Sequence, residues 1–170
     1  GPLLIDQRSP DGAWSVAGSR LESVSGSDLG SLTVHGPIAC LLETRGSSGV
    51  QRGELRTRLL QIEPTVGNGY VATASNGFEA QLDSDGSADR VEFAGDQARL
   101  IAPASTLQSL LATGHIKIKA QDGAAAEGSG LQWTASAAHL IGLDGSPARA
   151  TQKRDSVEAP RLLFDRKQAT

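Results

Sequence analysis

The sequence predicts an all-β chain of many short antiparallel strands, and three observations carry that prediction. In LQWTASAAHLIGLDGSPARATQKRDSVEAPRLLFD, residues 131–165, apolar and polar residues alternate into Asp144-Gly145, and apolar positions return after Ser146-Pro147 and again at Val157-Glu158-Ala159. Alternation marks a half-buried strand and Asp-Gly is a strong hairpin signal, so this stretch reads as three strands joined by tight turns. The unit also recurs. RVEFAGDQAR at 90–99 lies over 140–149 at an offset of 50 (145 minus 95), with Gly, Ala and Arg matching at 95/145, 98/148 and 99/149. LTVHGPIA at 32–39 is a fainter copy 59 residues earlier (95 minus 36), and Trp14 with Leu21 is matched by Trp133 with Leu140. Repetition of one strand-turn-strand module governs the rest of the reading. Composition agrees: 20 Gly, no Met, two Trp, one Tyr and three Phe in 170 residues suit strands and turns better than a helical bundle.

Taken in order, residues 3–10 read as an edge strand, and Ser9-Pro10-Asp11-Gly12 turns the chain into the strand around Trp14. Residues 18–31 read as a weak strand and a Ser/Gly-rich loop. Leu32-Thr33-Val34 and Ile38 to Glu43 follow, separated at Gly36-Pro37 by a break or bulge that a central strand would not tolerate. VQRGELRTRLLQIE at 50–63 fits a helix through Leu55, Leu59 and Ile62. It also fits a strand with Arg52, Arg56 and Arg58 on a wet face, and Gly53 and Pro64 decide for the strand. Gly67-Asn68-Gly69 and Ser75-Asn76-Gly77 read as turns around Tyr70 to Ala74, and Asp83-Ser84-Asp85-Gly86 closes the hairpin after Phe78 to Leu82. Ser105 to Ala112 reads as strand rather than a helical turn. GHIKIKA at 114–120 is the clearest alternating strand, ended by Asp122-Gly123, and residues 166–170 form a polar tail expected to fray. The length favours one domain over 1–170, with 1–31 as a divergent amino-terminal cap.

Several functions are expected to be absent. A net charge of -3 offers no concentrated positive surface for nucleic acid. One cysteine makes neither a disulfide framework nor a cysteine-based metal cluster, and Cys40 reads as a small buried residue. His35, His115 and His139 lack metal-ligand spacing, and Asp83 and Asp85 before Gly86 lack the remaining ligands of a calcium loop. There is no G-x-S-x-G and no phosphate loop, so neither an enzyme nor a cofactor is expected. No apolar run approaches 18 residues and no leader pattern is present; Gly1-Pro2 has the form of a protease scar, which leaves that absence without weight.

The series LATGHIKI at 111–118, then the Leu-Asp-Gly-Ser-Pro-Ala core within 140–149, then Val157-Glu158-Ala159 and Leu162 to Asp165, resembles the OstA-like module of periplasmic lipopolysaccharide-transport proteins. The resemblance covers residues 70–165. It implies an open antiparallel β-jelly roll, a V-shaped slide with unpaired strands at both ends. It also implies a periplasmic location, with or without a membrane tether. The activity implied is non-enzymatic: lipid A acyl chains of lipopolysaccharide are held in the V. Other OstA-like domains then dock end to end by edge-strand pairing, and the inner-membrane export complex or outer-membrane translocon lies at the ends of such a chain. Such an escort answers a physical cost, since each exposed methylene is worth ~0.8 kcal/mol. The groove positions expected are Val34, Ile38, Leu59, Phe78, Leu82, Val91, Phe93, Leu107, Ile116, Ile118, Trp133, Leu143 and Phe164, apolar residues on strands beside many small ones. These residues also suit a closed core, which leaves as alternative a structural β-domain that self-assembles through its edges and holds no lipid. Lys117 and Lys119, and likewise Arg52, Arg56 and Arg58, read as a solvated outer face or as a lure for lipid phosphates.

Overall fold

The structure is a computed structural model that describes residues 3–9, 12–24, 30–46, 49–65, 69–84, 90–102, 109–134, 137–143 and 145–165. Its strands are β1 (Leu3–Ser9), β2 (Gly12–Gly18), β3 (Arg20–Val24), β4 (Ser31–Gly46), β5 (Gly49–Thr65), β6 (Gly69–Ser84) and β7 (Val91–Gly95). They continue as β8 (Gln97–Ala102), β9 (Ser109–Ala120), β10 (Ala125–Thr134), β11 (Ala137–Ile141), β12 (Ala148–Gln152), β13 (Asp155–Ala159) and β14 (Arg161–Asp165). All belong to one antiparallel sheet of 14 strands, and no helix occurs among the described residues. The protein is all-β, as its sequence predicts. The expected Ser/Gly-rich loop, the turn centres at Pro10-Asp11, Gly67-Asn68 and Asp85-Gly86, the start of the strand from Ser105, and the polar tail lie outside the described residues.

The pairing shows that this sheet is folded in two. Residues 39–44 of β4 pair with β2, whereas residues 31–35 pair with β3. Strand β6 pairs with β7 through residues 78–82 and with β8 through 70–74. Strand β9 does the same with β7 and β8, and β10 with β12 and β11. Each long strand therefore gives one half to a front layer and the other to a rear layer. The front layer holds β1, β2, β7, β12 and β13, and the rear holds β3, β8, β11 and β14.

Two ring contacts prove the crease. Trp14 on β2 lies in line with Leu82 on β6 through Leu42 and Gly53. Tyr70 is 12 residues from Leu82 on the same strand (82 minus 70), which in a flat sheet would be about 40 Å away. The Trp14 and Tyr70 rings are nonetheless 5.7 Å apart, edge to face. Phe93, paired with Ile118, and Trp133, paired with Leu110, are likewise brought to 4.9 Å. An open, creased antiparallel sheet of this kind is a jelly-roll-like sandwich.

The crease runs through Gly18-Ser19, Gly36-Pro37, Arg58, Asn76-Gly77, Gly95-Asp96, Gly114-His115, Gly128 to Gly130, Gly142 and Pro160, where register shifts or strand breaks occur. Asn76 and Gly77 take φ of 66° and 87°, the left-handed region where Asn and Gly sit at least cost. Hydrogen bonds carry the ladder across the bend. The Gly77 amide donates to the Asp96 carbonyl at 2.9 Å, the Asp96 amide to Gly114 at 2.9 Å, and the Gly142 amide to Pro160 at 2.9 Å. Thr57, buried at the crease, places its hydroxyl 3.0 Å from the Ser75 carbonyl and 2.9 Å from that of Gly77.

Two sequence readings change here. Ser75-Asn76-Gly77 is read as a hairpin turn, yet β6 runs straight through it as a bulge, because an extra residue in one strand bends it without ending it. Gly36-Pro37 is read as intolerable to a central strand. Strand β4 is central and accommodates Pro37 because the bulge leaves that position outside the ladder. Of the repeated glycines, Gly36 and Gly95 fall at the crease, whereas Gly145 lies in the exposed loop closed by the Leu143–Ser146 bridge.

A methyl at Gly95 would sit 2.7 Å from Ile116 Cδ1 and 2.8 Å from Phe78 Cε1. Gly95→Val is therefore expected to lower stability by roughly 1–3 kcal/mol, read as an earlier urea midpoint, because overpacking at the crease forces both layers apart.

Candidate functional site

The space between the layers is the candidate site. On β4, Leu32, Val34, Ile38, Cys40 and Leu42 point inward; on β6, Ala72, Ala74, Phe78, Ala80 and Leu82 do so. Close to the crease the packing is tight, with Val34, Leu60, Phe78, Ile116 and Leu140 all buried. Small and large inward residues are mixed: Gly53, Ala72 and Ala80 lie among Trp14, Leu42, Tyr70 and Leu82 in one half, and Ala126, Ala138 and Ala150 among Ile118, Trp133 and Phe164 in the other. Beside the small residues, space remains between the layers.

That space has two parts. One is a cavity of about 130 Å³ bounded by Trp14, Cys40, Leu42, Tyr70, Leu82 and Phe93. It is similar in size to an engineered apolar cavity of ~150 Å³ that admits benzene. The other is a cleft of about 490 Å³ at the carboxy-terminal end, bounded by Val91, Ile118, Trp133, Val157 and Phe164. Among the described residues, β1 and β3 are unpaired on one side at the amino-terminal end, and β13 and β14 at the other. Leu21 on β3 and Val157 on β13 stand in register with the inward residues Val34 and Ala150, yet are exposed, because no further strand among the described residues covers them.

The outer face of the front layer carries opposed charges, whereas that of the rear layer exposes Ile141 and Leu163. In the front layer Arg56 stands opposite Glu79, Lys117 opposite Glu127, and Arg149 opposite Glu158. Arg149 Nε is 2.6 Å from Glu158, Arg56 Nε is 2.6 Å from Glu54, and Arg52 Nε is 3.4 Å from Glu43. Such exposed pairs contribute little stability individually, but they leave this face strongly hydrated. At the crease His115 Nδ1 lies 2.8 Å from Asp96. No three His, Cys, Asp or Glu among the described residues are grouped to hold a metal ion.

Of the sequence-expected groove residues, Val34, Ile38, Phe78, Phe93, Ile116 and Trp133 are buried between the layers, and Leu82, Val91, Ile118 and Phe164 are partly buried against them. Three are not among these. Leu59 is displaced because the crease at Arg58 shifts the alternation by one residue, so Leu60 takes the inward position and Leu59 the outward one. Leu143 is 66% exposed in a small loop closed by its own bridge to Ser146. Leu107 lies outside the described residues. Sequence reasoning passed over Leu60, Ala74, Ala98, Ala112, Leu140 and Ala148; the alanines give no hydropathy signal strong enough to mark a face. Comparison of the chain with protein-family models, curated proteins and solved structures finds no match.

Burial between the layers pushes the Cys40 thiol up from 9.0 to about 12. At neutral pH a thiol-disulfide reagent is thus expected to react with the folded protein at least ~100-fold more slowly than with the urea-unfolded chain. Equal rates would mean that this wall of the cavity is open to water.

Proposed function

We propose that this chain is a non-enzymatic lipid carrier that takes hydrocarbon between its layers and leaves a polar headgroup in water. The observation that carries the reading is the unfilled apolar space between two layers, the front one charged on its outer face. A hydrocarbon placed there loses contact with water at a gain of ~0.8 kcal/mol per methylene. The open ends supply the entrance, because Val157 and Phe164 line the mouth of the larger cleft instead of being covered by another strand. Lipopolysaccharide is the lipid that the sequence resemblance nominates, and the periplasm the compartment. Exposed Lys117 and Lys119 on the outer front face, opposite Ile116 and Ile118, suit a phosphate-bearing headgroup. In this reading β1, β3, β13 and β14 pair with edge strands of related domains, so that apolar interiors meet end to end.

A second reading, a self-assembling structural domain with no lipid, draws on the same free edges and on the tight packing beside the crease. The two part company over the interior. With a photoreactive side chain at Leu82 or Ile118 and purified lipopolysaccharide as the probe, irradiation is expected to give a crosslinked adduct, whereas the same group at Arg56 or Lys119 gives far less. Equal labelling inside and outside, or none inside, would remove the carrier reading and leave the structural one.

A further inference from the structure

The two parts of the interior meet at an aromatic contact, flanked by Leu110 on the side of the smaller cavity and Val91 on the side of the larger cleft. Phe93 reaches inward from β7 in the front layer and Trp133 from β10 in the rear layer, and their rings meet edge to face at 4.9 Å. They are 2% and 8% exposed, so the contact lies in the middle of the molecule. Phe93 bounds the smaller cavity and Trp133 the larger cleft. Neighbouring inward positions on the same strands are Val91 and Leu131, neither of which spans the gap with a ring.

We infer that the Phe93–Trp133 pair is a partition that sets the length of hydrocarbon chain the protein accepts. This rests on the carrier reading above and goes beyond it by naming what limits the ligand. An unbranched acyl chain enters at the wide mouth beside Val157 and Phe164, runs over Ile118, and ends against the ring pair. Each methylene buried before that stop multiplies affinity by about four, and those beyond it add nothing because they must remain in water. Edge-to-face rings held from two different layers resist displacement more than an aliphatic pair of equal size would.

The chain's two tryptophans make the partition measurable, since Trp14 lines the smaller cavity and Trp133 the larger cleft. The probe is a series of ω-bromo fatty acids of increasing length, each kept below its micelle concentration; Trp133 quenching is read alone in a Trp14→Phe background, and Trp14 quenching as the difference from the protein with both tryptophans, so that Trp133 stays in place throughout. With Phe93 present, affinity is expected to rise about fourfold per methylene and then level off, with Trp133 quenched and Trp14 left bright. Phe93→Ala should move the plateau to longer chains and let the longest ones quench Trp14. Phe93→Leu, which keeps the bulk and the fold, should move it less. A plateau at the same length in wild type and both variants, with binding intact, would overturn the partition while leaving the carrier reading in place. Quenching of Trp14 in the wild type as strong as in Phe93→Ala would overturn it as well. No quenching of either tryptophan at any length would overturn both.

Discussion

The structure depends on one constraint: every long strand must bend at the same level if a single sheet is to fold over and cover its own apolar face. A pleated ladder resists a sharp bend because its hydrogen bonds and its inside-outside alternation both break there. The chain meets this by placing Gly, Asn-Gly, Pro or a one-residue shift wherever it crosses the crease. The backbone donors of Gly77, Asp96 and Gly142 then find acceptors on the neighbouring strand, and the Thr57 hydroxyl sits among carbonyls left over by the bend. A buried backbone group without a partner would cost more than the bend itself.

The shape of the interior follows from that crease. Beside it side chains such as Leu60, Ile116 and Leu140 fill the gap; away from it Trp14 and Tyr70 touch across the layers, while Gly53, Ala80, Ala126 and Ala150 leave space unfilled. Small residues left beside unfilled space are not what a maximally stable core would use, since each unfilled methyl-sized space forfeits contact energy. Among the described residues the same geometry leaves edge strands at both ends, with Leu21 and Val157 exposed there, where a closed barrel would have removed its edges.

Much of the fold was legible in the sequence. Alternation in GHIKIKA, turn residues at Asp122-Gly123 and the strand reading of 50–63 all correspond to elements of the sheet. The crease was not legible, because Asn-Gly and Gly-Pro are equally good signals for a turn that reverses the chain and for a bulge that only bends it, and what selects between them is pairing with distant strands. That ambiguity propagates to single side chains. A one-residue shift at Arg58 exchanges Leu59 for Leu60, and a loop that closes on itself turns Leu143 outward. The cavity and its division by Phe93 and Trp133 were hidden for a further reason: these residues are 40 apart in sequence (133 minus 93) and meet across the layers, where no local pattern speaks.

Diffraction from crystals held under xenon tests the central claim most directly, because xenon enters apolar space that is empty and leaves polar or filled space alone. The account predicts xenon on both sides of the Phe93–Trp133 contact, one site beside Cys40 and Tyr70 and another beside Ile118 and Phe164. A pair of layers closed onto each other, with side chains filling both places and no xenon between them, would contradict it.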